Sequence, residues 1–416
     1  MNIPRILCNQ ETLKSVNERV VSDIMYIRRR KQLTELLSGN NGDTKYDIAL
    51  IDSPENLYYY TGFTGGEALC VIFMESRTPN NVCIITDSRY YEQVEKECPD
   101  IPLIKLGNRT YVETVKYVLS SDMINGKQSD IDGGDSYKDL SYTATSSHGS
   151  GYKIAIEDTM NLSRYLKLKD ALDTCQLDVA SELINEPRMV KDEGELNLLR
   201  RAEQIGDEAF THILDILKPG VSEREIALEL EFFMKKQGAS KLSFDTIVAS
   251  GANSSMPHAQ VTDRLIENGD FVTMDFGCIY RGYCSDMTRT VAVGQPSDEM
   301  KKVYQIVLDA NLRAMEGIMA GVKCSDIDDL ARGYIADKGY GDFFGHGLGH
   351  GVGLYIHEEP RFSPKCHVIT KENMVITDEP GIYLPGKFGV RIEDLVVVKK
   401  DGYERLSNSP KKLIVV

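Results

Sequence analysis

Three histidines fall within twelve residues of one glycine-rich segment, Gly345-His346-Gly-Leu-Gly-His350-Gly-Val-Gly-Leu-Tyr-Ile-His357-Glu358. The alternating glycines remove side chains, so this backbone passes close to other groups and the imidazoles carry its chemistry. A phosphate cradle is one reading of such glycines, but no GKS/T follows and no dinucleotide fingerprint fits. Nor is this the helical HExxH zinc signature. His350 can supply one imidazole to a metal, and His346 and His357 can work on substrate. Upstream, Pro257-His258 adds another histidine, on a turn after Ser250-Gly251.

Two pairs of acids complete the set. Asp275 and Asp286 are 11 residues apart, and Glu379 and Glu393 are 14 apart. A four-residue loop at Ile279–Gly282 would set the first pair directly opposite across a hairpin. A loop centred on Gly386 would pair the second in the same way. Directly opposed residues have Cβ atoms ~4.5–5.5 Å apart. Val272, Met274, Val375, Ile376, Val396 and Val397 mark these as core strands. Carboxylates placed there repel each other unless a cation or a proton intervenes. Four carboxylates and one imidazole form an oxygen-rich set, which favours hard or borderline ions such as Mn²⁺ over structural Zn²⁺.

The elements that must position these groups are duplicated. Pro219-Gly-Val-Ser-Glu-Arg-Glu-Ile226 leads into a helix ending near Gly238, and Ala320-Gly-Val-Lys-Cys-Ser-Asp-Ile327 into another ending near Gly339. Each unit continues into two β-like segments that carry one pair of acids. Before the first unit, Leu198, Ala202, Ile205, Ala209, Ile213 and Leu217 trace an amphipathic helix, with His212 beside the stripe as a packing residue. The first third alternates α and β: a helix near 22–37, then apolar runs at Ile48–Ile51, Leu69–Phe73 and 82–85. Residues 120–151, rich in Ser, Asp and Gly, read as an exposed insertion.

Composition bounds the rest. A chain of 416 residues predicts two or three domains, and 42% apolar with 27% charged residues excludes wholesale disorder. A formal charge of −15 argues against nucleic acid or an anionic membrane as partner. No run approaches the ~18 apolar residues of a membrane helix, and residues 1–13 lack a signal-peptide pattern. Nine cysteines without a CxxC pair point to a reduced, cytoplasmic protein. Cys278 and Cys284 read as small core residues, because thiolates suit an oxygen-rich site poorly.

On these residues the sequence resembles the creatinase/prolidase/methionine-aminopeptidase hydrolases, which have the pita-bread fold. His346–His357 looks like their proline-peptidase signature. Met274-Asp-Phe-Gly277, Gly282-Tyr-Cys-Ser-Asp-Met-Thr-Arg-Thr290, Asp378-Glu-Pro-Gly381 and Val390-Arg-Ile-Glu-Asp394 match in order. Asn56–Phe63 and Thr86-Asp-Ser-Arg-Tyr90 are similar to the non-catalytic domain of aminopeptidase P-type enzymes. The resemblance implies an α/β creatinase-like N-terminal domain over 1–180, and an α+β pita-bread domain over 181–416 with an internal pseudo-twofold repeat. It further implies two divalent ions, Mn²⁺ first with Co²⁺ or Zn²⁺ as alternatives. Asp275 and Asp286 would hold one ion and His350 and Glu379 the other, with Asp286 and Glu393 bridging.

The implied reaction is release of the N-terminal residue from Xaa-Pro peptides by a metal-bridged hydroxide. Glu379 would be general base, with His258 and His357 stabilising the oxyanion or shuttling protons. His346 would line the proline pocket, and Arg391 would bind substrate or orient the Glu393 carboxylate. Xaa-Pro dipeptidase (prolidase) is the alternative, and a non-catalytic peptide-binding scaffold a third reading that the complete ligand set disfavours. Homodimerisation is a family expectation. One departure is Gly351, where some aminopeptidase P enzymes carry Trp.

Overall fold

The computed structural model describes residues 10–39, 46–75, 81–120 and 151–416, with side chains from residue 24 onward. Nearly all of the 120–151 insertion therefore lies outside the described residues. The chain forms two compact units, Met1–Pro187 and Arg188–Val416. The division falls inside the helix Ser181–Met189, which contains Pro187, seven residues beyond the 180/181 boundary expected from sequence.

The first unit is built on a six-stranded mixed sheet. Its spatial order is Leu103–Lys105, Val82–Thr86, Leu69–Phe73, Ile48–Ile51, Lys153–Ile156 and Gln176–Val179. The three apolar runs are its central strands, buried on both faces, so they read as continuous rather than alternating. The Asn56–Phe63 motif has a structural use here. Ser53 caps the helix Pro54–Thr61, and Gly62 closes it at φ 83°. The hydroxyls of Tyr59 and Tyr60 donate to the carbonyls of Pro187 and Ile184 at 2.9 and 2.6 Å.

The second unit repeats one plan. In its first half the helices Glu193–Leu214 and Glu223–Lys236 back the strands Ile247–Ser250, Phe271–Phe276 and Met287–Ala292. In its second half Asp298–Gly317 and Cys324–Asp337 back a five-stranded sheet containing Gly349–Gly351, Val375–Asp378 and Asp394–Lys399. Both helices of the first half begin with capping boxes, Asp192 with Glu195 and Ser222 with Glu225. His212 packs as expected, stacked 4.5 Å from the Phe233 ring and bonded to Glu229 at 2.7 Å.

The two hairpins differ from each other. In the second, Asp378 faces Asp394 and Gly381 faces Arg391, a register that centres the turn on Gly386 and sets Glu379 opposite Glu393. The first corrects the sequence expectation. Ile279 and Tyr280 are strand, paired to Cys284 and Tyr283, and the turn is only Arg281-Gly282, at φ 48° and 91°. Asp275 consequently faces Thr288, not Asp286. Asp286 lies two residues before Thr288, so the two acids still share a face, but diagonally. The cause is the two-residue turn, whose positive φ at both positions matches the strand twist.

Candidate active site and metal centre

The two hairpins and the strand Gly349–Gly351 bring Asp286, His350 and Glu393 together. All three are buried, and one ligand atom from each lies within 4.8 Å of the others. His350 Nε2 is 3.5 Å from Asp286 Oδ2 and 3.4 Å from Glu379 Oε1. Donors held ~2.0–2.2 Å from one ion at a tetrahedral angle stand ~3.4 Å apart, so this spacing suits ligands sharing a cation. The His350 Nδ1–H faces the Gly351 carbonyl at 3.1 Å, which leaves the Nε2 lone pair for a metal. Burial pushes the His350 imidazole down to about 3, so it is neutral.

The acids press on each other. Burial first, then Glu393, Asp275 and Glu379, push Asp286 well above the carboxylate range. Burial, then Glu379 and Asp275, do the same to Glu393. Glu379 is pushed up to about 7, chiefly by burial, with Arg391 opposing. Asp275 contributes a buried Oδ1 with no hydrogen-bond partner. Crowded, buried, oxygen-rich and partly unsatisfied, this donor set fits divalent cations.

Arg391 does not orient Glu393 directly. Its guanidinium pairs with Asp275 Oδ2 at 2.6 Å, 116 residues away, and also donates to Thr288 Oγ1, Tyr383 Oη and the Pro257 carbonyl. Four of its five N–H groups are thus committed to protein and the residue is 4% exposed, yet it lines the cavity that opens onto the acids. The Glu393 carboxylate is held instead by Thr288, whose hydroxyl donates to Oε2 at 2.7 Å. Tyr383, after accepting from Arg391, donates to His346 Nε2 at 2.9 Å, while His346 Nδ1–H faces the Gly347 carbonyl at 2.8 Å. Burial, then Arg391, push His346 down to about 4.

A cavity of about 790 Å³ opens onto the centre, lined by all five expected ligands, by His258, His346 and His357, and by Arg361. The His357 ring meets that of His350 edge-on, with centroids 4.5 Å apart. His258 is exposed to the cavity. The Arg361 side chain is 42% exposed, and Glu359 approaches it only to 3.6 Å. Leu228, Phe244 and Ile247 give the cavity an apolar part of its lining. Gly351 explains the absent Trp: a Cβ there would stand 2.5 Å from the Glu359 carbonyl oxygen, so no larger side chain fits this strand contact.

Several supporting residues were not singled out from sequence. Thr377 Oγ1 accepts from the His350 backbone N–H and donates to Glu379 Oε1 at 3.2 Å. Glu203 accepts the Asp286 backbone N–H at 3.2 Å, and burial pushes its carboxyl up to about 8. Glu358 anchors the segment beyond His357, accepting from Arg188, from Lys191 at 3.1 Å and from the Tyr355 backbone at 3.1 Å. Burial alone would raise the Glu358 carboxyl, but Arg188 and Lys191 outweigh it and hold it at about 2. Glu358→Ala removes the carboxylate that Arg188 and Lys191 share in a buried site and is expected to cost about 3–5 kcal/mol, read as a loss in urea midpoint. A depressed acid stabilises above its unfolded pKa, so this contribution should fade as pH falls from about 4.5 towards 2.

Residues 197–400 match the family described as Metallopeptidase family M24, and residues 29–190 match the Creatinase/Prolidase N-terminal domain. The chain is 40% identical to the uncharacterized peptidase YqhT of Bacillus subtilis over 375 residues, 90% of this chain and 97% of that one. It is 41% identical to an Xaa-Pro dipeptidase of Pyrococcus horikoshii over 261 residues, 63% of this chain and 74% of that protein. Among solved structures, an Xaa-Pro dipeptidase from Bacillus anthracis superposes with TM-score 0.82 at 38% identity, covering 94% of this chain and all of that one. An X-Pro aminopeptidase from Thermotoga maritima gives TM-score 0.75 at 37% identity, covering 89% and 98%. Matched at that identity over almost all of one relative, this chain belongs to metallopeptidase family M24.

Proposed function

We propose that the protein is an Xaa-Pro dipeptidase that works with two divalent cations, Mn²⁺ first among them. Its ligands would be Asp275, Asp286, His350, Glu379 and Glu393. The observation that carries the dipeptide preference is Arg361, a poorly satisfied cation in the same cavity as the acids. A dipeptide has its carboxylate one residue beyond the scissile bond, where a guanidinium at the cavity wall can take it. Similarity to dipeptidases of Pyrococcus horikoshii and Bacillus anthracis supports this order of readings, which reverses the sequence expectation. Xaa-Pro aminopeptidase is the second reading, supported by likeness to the Thermotoga maritima enzyme and by a cavity of about 790 Å³ that a dipeptide need not fill.

Bound divalent ions supply Lewis-acid polarisation of the carbonyl and a nucleophile at neutral pH. Glu379, beside His350 and within reach of the cavity, accepts a proton from the nucleophile and returns it to the proline nitrogen as the bond breaks. That nitrogen is tertiary and offers no N–H, so the site must grip the substrate elsewhere. His258 and His357 lie at the cavity surface, where their N–H groups donate to the developing oxyanion. His346, fixed by Tyr383, lines the proline side.

Kinetics on Xaa-Pro against Xaa-Pro-Yaa test the reading. Faster turnover of the dipeptide is expected, and Arg361→Ala should raise its KM about 10–100-fold, the worth of one charge-assisted bond, while altering the tripeptide less. Tripeptide cleavage alone would favour the aminopeptidase.

A further inference from the structure

We infer that Glu223 is a positioning residue for His258, acting through the loop that carries it. This rests on the reading of His258 as a group that meets substrate. Glu223 opens the helix Glu223–Lys236 and is fully buried. Its carboxylate accepts from the Ser250 backbone N–H and hydroxyl at 2.7 and 2.8 Å, and from Asn253 Nδ2 at 3.1 Å. On the other side it accepts from the Thr262 backbone N–H and hydroxyl at 3.1 and 2.6 Å. Ser250 and Thr262 bracket the segment that bears His258, so one side chain ties both ends of the loop.

The middle of the loop is held from the second hairpin. Gly389 N–H donates to Ser254 Oγ at 2.8 Å, and Arg391 donates to the Pro257 carbonyl at 3.1 Å. The described residues give the His258 ring no hydrogen bond of its own, and it is exposed to the cavity. Its aim is therefore set by the backbone beneath it. Glutamine cannot replace Glu223 in this task, because one end of its amide is a donor and would face the N–H of Ser250 or of Thr262 in place of an acceptor.

The test uses the full-length, metal-loaded protein. In Glu223→Gln, kcat on an Xaa-Pro dipeptide should fall about tenfold, the worth of one hydrogen bond at the upper end of the usual range, with KM and bound metal little changed. Amide exchange should quicken across 250–262. In a His258→Ala background the same substitution should change kcat less than about twofold, because its route to the chemistry is already gone. A full tenfold loss in that background would show a merely structural role and overturn the proposal, as would unaltered exchange at 250–262. If His258→Ala alone leaves turnover intact, the catalytic reading of His258 falls, and the exchange data still report separately on the clamp. Should Glu223→Gln not fold, Thr262→Val removes one of the five donors and is read by the same three measurements.

Discussion

Replacing Glu379 by glutamine is expected to lower kcat for Xaa-Pro cleavage by about 10²–10⁴-fold, the range of a lost general base, with a much smaller effect on KM. The carboxylate stands 3.4 Å from His350 Nε2, is steadied by the Thr377 hydroxyl, and faces the cavity. That places it between the imidazole and the space where substrate must sit. Glutamine keeps the shape and an oxygen for the cation but cannot take the proton. Steady-state kinetics with metal analysis of the purified variant separate the two roles. A loss below about tenfold at full metal content would remove Glu379 as the base.

Stripping the divalent ions should abolish turnover and also change how stability depends on pH. Folding raises Asp286, Glu379 and Glu393 through burial and mutual repulsion. A raised acid is protonated in the folded state while the unfolded chain has already lost its proton. Stability is then unaffected below the unfolded pKa of about 4.3 and declines as pH climbs from there through the folded value, which is about 7 for Glu379. These three acids therefore favour the metal-free fold more at pH 5.5 than at pH 8, while the neutral buried His346 and His350 oppose them below about pH 6.5. Cations reverse this, since they bind the deprotonated ligands. At a hundred times Kd a single site adds about 2.7 kcal/mol, or roughly 5–10 °C in Tm for a unit of this size. Thermal melts at both pH values, with and without Mn²⁺, check the sign. An equal Mn²⁺-induced shift at pH 5.5 and 8 would contradict it.

What the sequence made legible follows the range over which each feature is encoded. The second hairpin was readable because Gly386, at φ 72°, marks its turn and the acids lie symmetrically about it. The first was misread because Arg281, unlike Asn or Asp, does not announce a left-handed turn position, and its φ of 48° emerges only from the strand pairing. His212 was correctly read as packing because a helical stripe predicts its neighbours locally. Arg391 was read from its own strand and assigned to Glu393, two residues away, whereas its partner Asp275 comes from the other half of the repeat. Thr288 and Tyr383 escaped notice for the same reason. A threonine or tyrosine in a core strand carries no signal until the fold sets a carboxylate or an imidazole against it.

The central claim is that the buried acids and His350 hold divalent cations without which the Xaa-Pro bond is not cut. Metal-stripped protein titrated with Mn²⁺, with Xaa-Pro dipeptide hydrolysis followed at each addition, tests it directly. Turnover absent at the start, rising with bound metal and complete at two ions per chain, is the expected result. Undiminished hydrolysis in the presence of excess chelator, or none with Mn²⁺, Co²⁺ or Zn²⁺, would contradict it.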